Sequence, residues 1–462
     1  MRGIIILFPS HNGNAKFVGI RVSVTSSRKI ILVVGSYLSF VALGFFTERS
    51  NFIQLIALFA FAFAGYFYFV KIKEAFTVKE IIWIALLFRV SMLAMTPNLS
   101  DDYWRFIWDG RLSISGHNPF EFLPENHVDN PLISELDLNG EVYEGLNSKS
   151  YYTIYPPINQ AIFALTAALG FRDVATEILL LRFLLIAFEM ATILFMIKLL
   201  KALKKPPQQV ILYALNPLVI VEISGNLHFE GTVVFFLCLA GWFVYRQKWT
   251  ISAMAFAGAV LSKMFPLLLL PLLIRRMGWW KSVLYGLIVL VVSVAAFVPF
   301  MSSGGIQNLW SSIDLYFQRF EFNASVYYLV REAGRMLSGH NLIHSIGPAL
   351  SVLTVGLILG VVFWKKLDHL NLAAKAVLML TIYYLMATTV HPWYIITMVG
   401  LAVFSGQIYP LIWSFLVVLS YSHYWGGGFQ ECYWIIGVEY LFLAASVVWG
   451  KHLFNGPSNA VS

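Results

Sequence analysis

The chain has 462 residues, of which 59% are hydrophobic and 12% are charged. A soluble globular domain is roughly 25% charged, so the composition excludes a soluble protein and indicates one that crosses a membrane several times. The net charge of +8 would suggest a nucleic-acid partner for a soluble chain. Here Lys and Arg cluster at the ends of apolar segments, as they do in cytoplasmic loops, and we expect no nucleic-acid partner.

The first apolar segments predict three membrane spans, because each approaches the roughly 20 residues that cross a bilayer. Basic residues precede the first span and separate the second from the third, which places both clusters on the cytoplasmic side. Residues 1–28 are predicted to be a cytoplasmic or otherwise unassigned segment before them. The predicted spans are Ile30–Phe46, Phe52–Val70 and Ile81–Met95.

A long polar loop follows at residues 98–156, on the opposite, external side, and a second external loop is predicted at residues 301–341. The first loop begins with two adjacent acids, Asp101 and Asp102, at the water boundary, where an ionisable residue is a functional candidate by default. Loops of this length are usually functional or disordered. Aromatic residues next to the acids predict a helix lying on the bilayer; they are Tyr103, Trp104, Phe106 and Trp108.

The remaining apolar segments predict an all-α polytopic bundle of about 11–13 transmembrane helices. One domain at residues 29–456 is expected to hold them, followed by a tail at residues 457–462. The short segment Ile158–Phe171 predicts a re-entrant helix, which is permitted where protein buries it. Two prolines break Ile251–Ile274 and predict two half-helices with Lys263 at their external tip. The other predicted spans are Glu177–Leu200, Val210–Ser224, Gly231–Tyr245, Trp280–Phe300, Leu342–Trp364, Leu372–Val390, Trp393–Phe404, Leu411–Tyr424 and Cys432–Trp449.

Two interpretations of Asp101 and Asp102 stay open from the residues alone. One is a helix cap together with ordinary acids of an outside loop. The other is a catalytic pair, in which one carboxylate is a general base and the other fixes an acceptor hydroxyl or shares a cation. Arg105 and Arg111 follow at helical spacing and are predicted to orient one of the carboxylates. An acid at a low-dielectric boundary has a raised pKa, which suits a base.

Lys263 lies in an otherwise apolar run. An unpaired buried ammonium group costs several kcal/mol, so this side chain is expected to have a partner. The lysine is predicted either to pair with a carboxylate or extend to the interface, or to be the counterion of a lipid phosphate, for which Lys serves as a point charge.

Two more polar motifs interrupt apolar segments on the predicted external side. The first holds His228 and Glu230, which are either a boundary histidine and a helix-capping acid or contacts for sugar hydroxyls. The second is His391-Pro-Trp-Tyr394, either an interfacial aromatic belt or a phosphate contact through His391. Polar residues gathered at one leaflet favour a single active site facing one compartment. A transporter would need polar groups through the midplane.

Short motifs follow one another along the external side: Asp101-Asp102, Gly110-Arg111, Gly116-His-Asn-Pro-Phe120, Tyr155-Pro-Pro, Asn216-Pro217, Gly225-Asn226 and Lys263 with Pro266. Their order and shared sidedness resemble the GT-C superfamily of polytopic glycosyltransferases. Within it the chain is similar to prokaryotic mannosyltransferases and to the catalytic subunit of glycosylphosphatidylinositol mannosyltransferase I. That subunit carries an Asp-X-Asp form where this chain has adjacent acids, which leaves open which carboxylate is the base.

The resemblance implies an inverting hexosyltransferase that moves mannose from a polyprenyl-phosphate carrier to a lipid or glycan acceptor on the external side of the membrane. Asp101 and Asp102 are then expected to be catalytic, with Asp101 as the base and Asp102, together with Arg105, holding it and the acceptor. Lys263 and His391 are expected to bind the donor phosphate. The residues expected to contact the sugar or the acceptor are Arg105, Asp109, Tyr155, His228 and Glu230.

This scheme requires no metal or other cofactor, because Lys263 can neutralise a lipid monophosphate, although the acid pair offers a place for a divalent cation. The prenyl tail is expected to lie between the spans, among membrane lipids, and the protein to lie in a bacterial plasma membrane. Two alternatives stay open. One is a transporter of lipid-linked glycan or polysaccharide without transferase chemistry, and the other is an accessory subunit.

Overall fold

The computed structural model describes residues 25–453, so most of the predicted segment 1–28 and all of the predicted tail 457–462 lie outside the described residues. Between residues 25 and 453 the regular structure is helical, and extended pairing is limited to one isolated parallel bridge between Phe322 and Thr389. The predicted all-α class of polytopic membrane protein is confirmed.

Three helices form the N-terminal part, and each overlaps a predicted span. Local capping chemistry defines where two of them begin. The Asn51 side chain accepts a hydrogen bond from the backbone N–H of Gln54, and Thr77 and Glu80 form a capping box, so N–H groups without a partner inside the helix are satisfied. The helices are α1 (Ser26–Phe45), α2 (Phe52–Lys71) and α3 (Val78–Val90).

The predicted external loop 98–156 is rich in helices. It contains one long helix and three short ones before the chain returns to the bundle through a helix of 14 residues, where a re-entrant helix is predicted. Proline occupies the first position of three of these helices. An N–H group at this position would have no acceptor within the helix, so proline costs no hydrogen bond there. The helices are α4 (Asp102–Ile114), α5 (Pro124–His127), α6 (Pro131–Glu135), α7 (Glu141–Gly145) and α8 (Pro157–Gly170).

The prediction that α4 lies on the bilayer is wrong, because α4 is packed inside the protein. Phe106 and Trp108 are 2% and 0% exposed, and the ring of Phe106 stacks on that of Phe163 in α8, with centroids 4.7 Å apart. The helices approach closely at Gly110, where an added Cβ would lie 2.5 Å from the carbonyl oxygen of Phe163. Aromatic residues suit a helix buried in the protein as well as one at the bilayer surface. The sequence pattern alone therefore does not distinguish these two locations.

The central part contains a bent pair of helices where two spans, Val210–Ser224 and Gly231–Tyr245, are predicted. The prediction of a continuous span at Val210–Ser224 is wrong, because Asn216 caps a short helix and a π-helical turn, Ile220–Gly225, follows it. The piece Pro217–Gly225 meets the helix Glu230–Tyr245 at a bend of 114°. The central helices are α9 (Val174–Ala202), α10 (Ile211–Ala214), α11 (Pro217–Val219), α12 (Glu230–Tyr245), α13 (Trp249–Ser262), α14 (Leu272–Met277) and α15 (Trp279–Phe297).

The C-terminal part includes two helices within the second predicted external loop. The predicted span Leu411–Tyr424 is an α-helix only in its first half and continues as the 3-10 segment Val417–Tyr424. The helices are α16 (Ser303–Arg319), α17 (Val326–Ser338), α18 (Ile343–Phe363), α19 (Leu372–Met386), α20 (Ile395–Ser405), α21 (Tyr409–Leu416) and α22 (Tyr433–Leu453).

Five helices in the described part of the chain are long and apolar enough to cross a membrane, and the bent pair would make a sixth if it is one span. The five are α1, α2, α9, α15 with its last 3-10 turn, and α18. Several other predicted spans, such as α13 and α19, are apolar but shorter than 18 residues. The predicted total of 11–13 spans therefore stays a prediction.

A buried ion pair joins α3 to α9. The Arg89 Nη2 and Glu189 Oε2 atoms are 2.8 Å apart, and both side chains are 0% exposed. Arg89 also donates to the carbonyl oxygen of Ala214, and the hydroxyl of Tyr213 donates to Glu189. Because charges buried in a low dielectric need such partners, the pair locks the two helices in register.

Candidate functional site

A cavity of about 820 Å³ opens where the start of α4, the residues leading into α8, the break after α13 and the turn before α20 meet. It is called the site cavity below. Six residues that the sequence singled out as site residues line it: Asp101, Asp102, Arg105, Tyr155, Lys263 and His391. Other polar or aromatic residues of its wall include Arg49, Asn147, Tyr394, Tyr424 and Glu431.

The two acids stand at the N-terminus of α4 and have different partners. The Asp101 Oδ2 atom accepts a hydrogen bond from Arg49 Nη2 at 2.9 Å, in an ion pair. The Asp102 Oδ1 atom accepts from Asn147 Nδ2 at 2.9 Å, and its Oδ2 atom accepts from the Tyr155 hydroxyl at 3.3 Å. Asp101 therefore has a charged partner, whereas both of these contacts of Asp102 are with neutral groups.

The electrostatic environment separates Asp102 from an ordinary surface acid. Burial raises the pKa of the Asp102 carboxyl, although the hydrogen bond from Asn147 and the charge of Lys263 lower it in part. Burial also raises the pKa of the Tyr155 phenol well above its usual value, with the charge of Asp102 adding to the shift. Tyr155 therefore keeps its proton and donates to Asp102 at neutral pH.

Lys263 lies at the predicted break between two helical pieces. Its backbone is extended, with φ −157° and ψ 144°, directly after the last residue of α13. A 3-10 turn, Phe265–Leu269, follows, and its proline cannot donate the backbone hydrogen bond that would continue the helix. The break turns the lysine side chain into the site cavity.

The ammonium group of Lys263 is paired and faces the cavity at the same time. It donates to Glu230 Oε1, and it lies 4.9 Å from the centre of the Tyr394 ring. The Lys263 side chain is 24% exposed, whereas that of Glu230 is 1% exposed. Since an ammonium group has three donors, the buried carboxylate holds it in place and leaves donors for a ligand.

His391 lines the site cavity among aromatic rings. Its ring stacks on Trp393, with centroids 4.4 Å apart and an angle of 6°, and lies 4.5 Å from the ring of Phe322. Burial lowers the pKa of His391 to about 3, and the charge of Lys263 adds to the shift. The imidazole is neutral at physiological pH, so it can offer an N–H donor to a phosphate but not a positive charge.

Arg105 lines the cavity, but its guanidinium binds Asp109 one helical turn further along α4. The Arg105 Nε and Asp109 Oδ1 atoms are 2.8 Å apart. Thr153 and Gln160 also donate to Asp109, which is 0% exposed. The structure thus places Asp109, a predicted sugar or acceptor contact, behind the cavity wall.

The prediction that Arg105 and Arg111 orient the acid pair is wrong. Arg111 Nε binds Glu177 Oε1 of α9 at 2.9 Å, and Arg105 is occupied by Asp109. Arg49, in the loop between α1 and α2, binds Asp101 instead. Helical spacing brings side chains of one helix together, but it contains no information about a cation 52 residues away.

His228 and Glu230 also lie behind the wall rather than on it. His228 is 3% exposed, its ring lies 3.7 Å from that of Trp393, and its Nε2 atom is 3.6 Å from Glu222 Oε2. Glu230 reaches the cavity only through Lys263. Both residues therefore support groups that line the cavity.

Sequence reasoning missed Glu222, which organises the back of the site. The hydroxyl of Tyr421 donates to its Oε1 atom at 2.5 Å, and the Asn226 amide donates to its Oε2 atom at 3.3 Å. Asn226 in turn accepts from the backbone N–H of Leu99, next to the acid pair.

Glu222 could have been found from the sequence, because an acid inside a predicted membrane span is a functional candidate by default. Arg49 and Asn147 offered no comparable signal.

Among residues 25–453, no group of three or more His, Cys, Asp or Glu side chains is placed to hold a metal ion. The carboxylates of Asp101 and Asp102 accept hydrogen bonds from different parts of the protein. Both the predicted independence from metal and the alternative of a cation on the acid pair stay predictions.

Comparison with protein families shows what the chain is similar to. Residues 19–278 match the family model for the N-terminal domain of alpha-(1->6)-mannopyranosyltransferases. The match covers more than half of the chain and includes both acids and Lys263, whereas His391 lies beyond it. None of the curated proteins matches the chain at a significant level. The family match decides for the predicted transferase over the transporter, and the chain belongs to the alpha-(1->6)-mannopyranosyltransferase family as a membrane-embedded, GT-C-type mannosyltransferase.

Proposed function

We propose that the protein transfers a mannosyl group from a polyprenyl-phosphate carrier to a hydroxyl group of a lipid or glycan acceptor. The observation that carries this proposal is that Asp101, Asp102 and Lys263 line one cavity. A carboxylate can take the proton of the attacking hydroxyl, and an ammonium group can stabilise the departing phosphate. Their shared position supports a reaction centre in a mannosyltransferase.

The geometry favours Asp102 as the general base, whereas the sequence alone favoured Asp101. The carboxylate of Asp101 is already engaged in an ion pair with the guanidinium of Arg49. Asp102 accepts from the neutral groups of Asn147 and Tyr155, and burial raises its pKa. A base with a pKa closer to the working pH is the more effective one. Asp101 and Arg49 then hold the acceptor.

Lys263 is proposed to bind the donor phosphate, with Glu230 fixing its position from behind. Negative charge grows on the phosphate oxygen as the bond between the anomeric carbon and that oxygen breaks. A cation already in place needs no reorganisation to stabilise this charge. The neutral ring of His391 lines the same cavity and offers a second donor to the phosphate.

The proposed reaction is a single displacement. The acceptor oxygen attacks the anomeric carbon on the face opposite the phosphate, its proton goes to Asp102, and the carrier leaves as a phosphate monoester. Such a displacement inverts the anomeric centre. The family description names an alpha-(1->6) linkage. If this chain forms that linkage with inversion, the donor bond is beta, and the acceptor is a sugar with a free 6-hydroxyl group.

The site cavity is proposed to face the external side of a bacterial plasma membrane. The first turn of α9 lies beside α4, through the Arg111–Glu177 ion pair, and the last turn of α9 carries the basic residue Lys201. Basic ends of spans mark the cytoplasmic side, and this end is remote from the acids. Reporters fused after Lys205 or Lys366 should therefore read cytoplasmic, and one fused within residues 128–148 should read external.

The test of the function uses purified protein, polyprenyl-phosphate-mannose and a mannoside acceptor with a free 6-hydroxyl group. The expected result is an alpha-(1->6) product, identified by NMR, whose formation is strongly reduced in Asp102→Asn. Asp129→Asn, an exposed acid of the same external segment, is the matched control and should keep full activity. Equal product formation by both variants would show that Asp102 is not the general base.

A further inference from the structure

A second cavity, of about 440 Å³, lies among α9, α12, α13, α14, α15, α19 and α20. Two of these helices show its position. On α12, which begins at Glu230, the lining residues run from Val234 to Tyr245, and on α20 they run from Thr397 to Phe404. Because α12 is about 24 Å long, the second cavity extends from beneath the site cavity to the opposite end of the bundle.

The walls of the second cavity are mostly apolar. Dispersion contacts are lost wherever packed side chains face empty space, so an apolar cavity of this size within a bilayer is suited to a hydrocarbon chain. Representative wall residues are Leu199, Leu237, Phe256, Leu269, Leu273 and Leu401.

The mouth at the far end carries two cations, Lys205 and Arg276. The Lys205 Nζ atom donates to the carbonyl oxygen of Phe404 at 2.6 Å, which leaves two of its donors. Within residues 25–453 neither cation is paired with a carboxylate, whereas the neighbouring Arg275 and Lys375 both bind Asp368. Burial lowers the pKa of Lys205, as expected for a partly desolvated ammonium group that lacks an anion.

A buried hydroxyl group lines the same cavity without a partner. Thr397 is 0% exposed, and its Oγ1 atom has no hydrogen bond to any described residue. A helical threonine usually bonds a carbonyl of the preceding turn, and an unsatisfied buried hydroxyl costs free energy. An oxygen atom of a bound molecule would satisfy it.

We propose that the second cavity binds an anionic phospholipid, with its phosphate on Lys205 and Arg276 and one acyl chain between α12, α13 and α20. An ester carbonyl oxygen of this lipid accepts the hydrogen bond of Thr397. The cations lie at the end of α12 opposite to Lys263, so a carrier whose phosphate binds Lys263 could place only its tail here. The bound lipid then supports the helices that carry Glu230 and Lys263.

The test compares two lipids on the full-length protein purified in detergent and stripped of phospholipid. Dioleoyl phosphatidylglycerol and dioleoyl phosphatidylcholine are added separately. Native mass spectrometry measures how many lipid molecules are retained, and thermal unfolding measures Tm. Because a ligand that binds only the folded state stabilises it, the expected result is one retained phosphatidylglycerol and a higher Tm, with neither effect from phosphatidylcholine.

Two variants remove different parts of the proposed site. Lys205→Ala with Arg276→Ala removes the cations and should reduce phosphatidylglycerol retention at least tenfold. Gly241→Leu fills the cavity, since a Cβ at this position meets Leu199 Cδ2 at an ordinary 3.5 Å, and should abolish retention while keeping the Tm of the lipid-free protein. Lys204→Ala is the matched control, because this exposed lysine does not line the cavity.

Three outcomes would overturn the proposal. The first is equal retention of phosphatidylglycerol by the wild type and the double variant. The second is equal retention of the two lipids by the wild type. The third is displacement of phosphatidylglycerol by polyprenyl phosphate, together with a tenfold higher KM for the donor in Gly241→Leu, since the cavity would then hold the tail of the carrier.

Discussion

Two ion pairs of this protein use the same chemistry in different ways. Arg89 and Glu189 are both 0% exposed, and Ala214 and Tyr213 add hydrogen bonds to them. In the second pair only Glu230 is buried, and the ammonium group of Lys263 faces the site cavity. A cation in an apolar segment therefore supports the scaffold when both partners are buried, and can bind a ligand when one side of it stays open.

The acids of α4 show the same contrast within one helix. Asp102 lines the site cavity and has a raised pKa. Asp109, two turns further along, is fully buried and is held by Arg105, Thr153 and Gln160. The partners that the fold brings to an acid thus say more about its role than its position along the helix.

The strongest test of this contrast replaces Asp102 and Asp109 by asparagine, one at a time. Asp102→Asn should lower kcat/KM by about 10³-fold with little change in Tm, because a positioned general base contributes 10²–10⁴-fold. Asp109→Asn should instead lower Tm, because it removes the charge that balances the buried Arg105. Steady-state kinetics and thermal unfolding measure both effects. A stable, inactive Asp109→Asn with a fully active Asp102→Asn would reverse our assignment.

Mutation of the buried Arg89–Glu189 pair should change the stability of the protein rather than its catalytic rate. Arg89→Met leaves Glu189 without its counterion and is expected to lower the free energy of unfolding by about 3–5 kcal/mol. The folded fraction should keep the wild-type kcat, since neither residue lines the site cavity. Unfolding in mixed micelles measures the loss, and Arg89→Met with Glu189→Gln should recover part of it. A normal stability with a reduced kcat would give this pair a catalytic role.

Mutation of the Lys263–Glu230 pair should instead change the catalytic rate. Lys263→Met with Glu230→Gln removes both charges, so no uncompensated carboxylate is left, and kcat/KM should fall by about 10²-fold. Its Tm should change less than that of Arg89→Met. Varying the donor concentration in the kinetic assay separates binding from turnover. Unchanged kinetic constants for the donor would rule out a phosphate role for Lys263.

The pH dependence should report the carboxyl group of Asp102. Its pKa is raised, so the protonated, inactive form persists to a higher pH than for a free aspartate, and activity should fall as the pH is lowered through that value. The hydrogen bond from Tyr155 lowers this pKa. Tyr155→Phe should therefore move the acid limb of the kcat/KM profile to higher pH. A shift to lower pH, or none, would contradict Asp102 as the base.

The smallest effect is expected at His391. Its pKa of about 3 lies below the range in which activity is measured, so the ring stays neutral and contributes no inflection between pH 5 and 8. His391→Asn keeps a side-chain N–H donor and should lower kcat/KM less than tenfold. The same pH series measures this variant. Loss of an inflection near neutral pH in His391→Asn would show that the wild-type ring is charged.

Much of the site could be predicted from local sequence. The acids follow the third apolar segment, and the chain does break at Lys263, as its prolines indicate. The partners were less accessible to prediction. Helical spacing links Arg105 to a carboxylate four residues away, and both Asp101 and Asp109 satisfy that spacing. The fold selects Asp109, because Arg49 approaches Asp101 from another segment.

Composition and apolar segments by themselves determined that this is a helical membrane protein, where its acids begin and that the chain breaks at Lys263. Only the tertiary structure decided which charges meet, and which of them are left open to a cavity. The physical reason is that apolar length and proline act over a few residues. A charge in a low dielectric instead takes whichever partner the packed helices bring within a few ångströms, however distant that partner is along the chain.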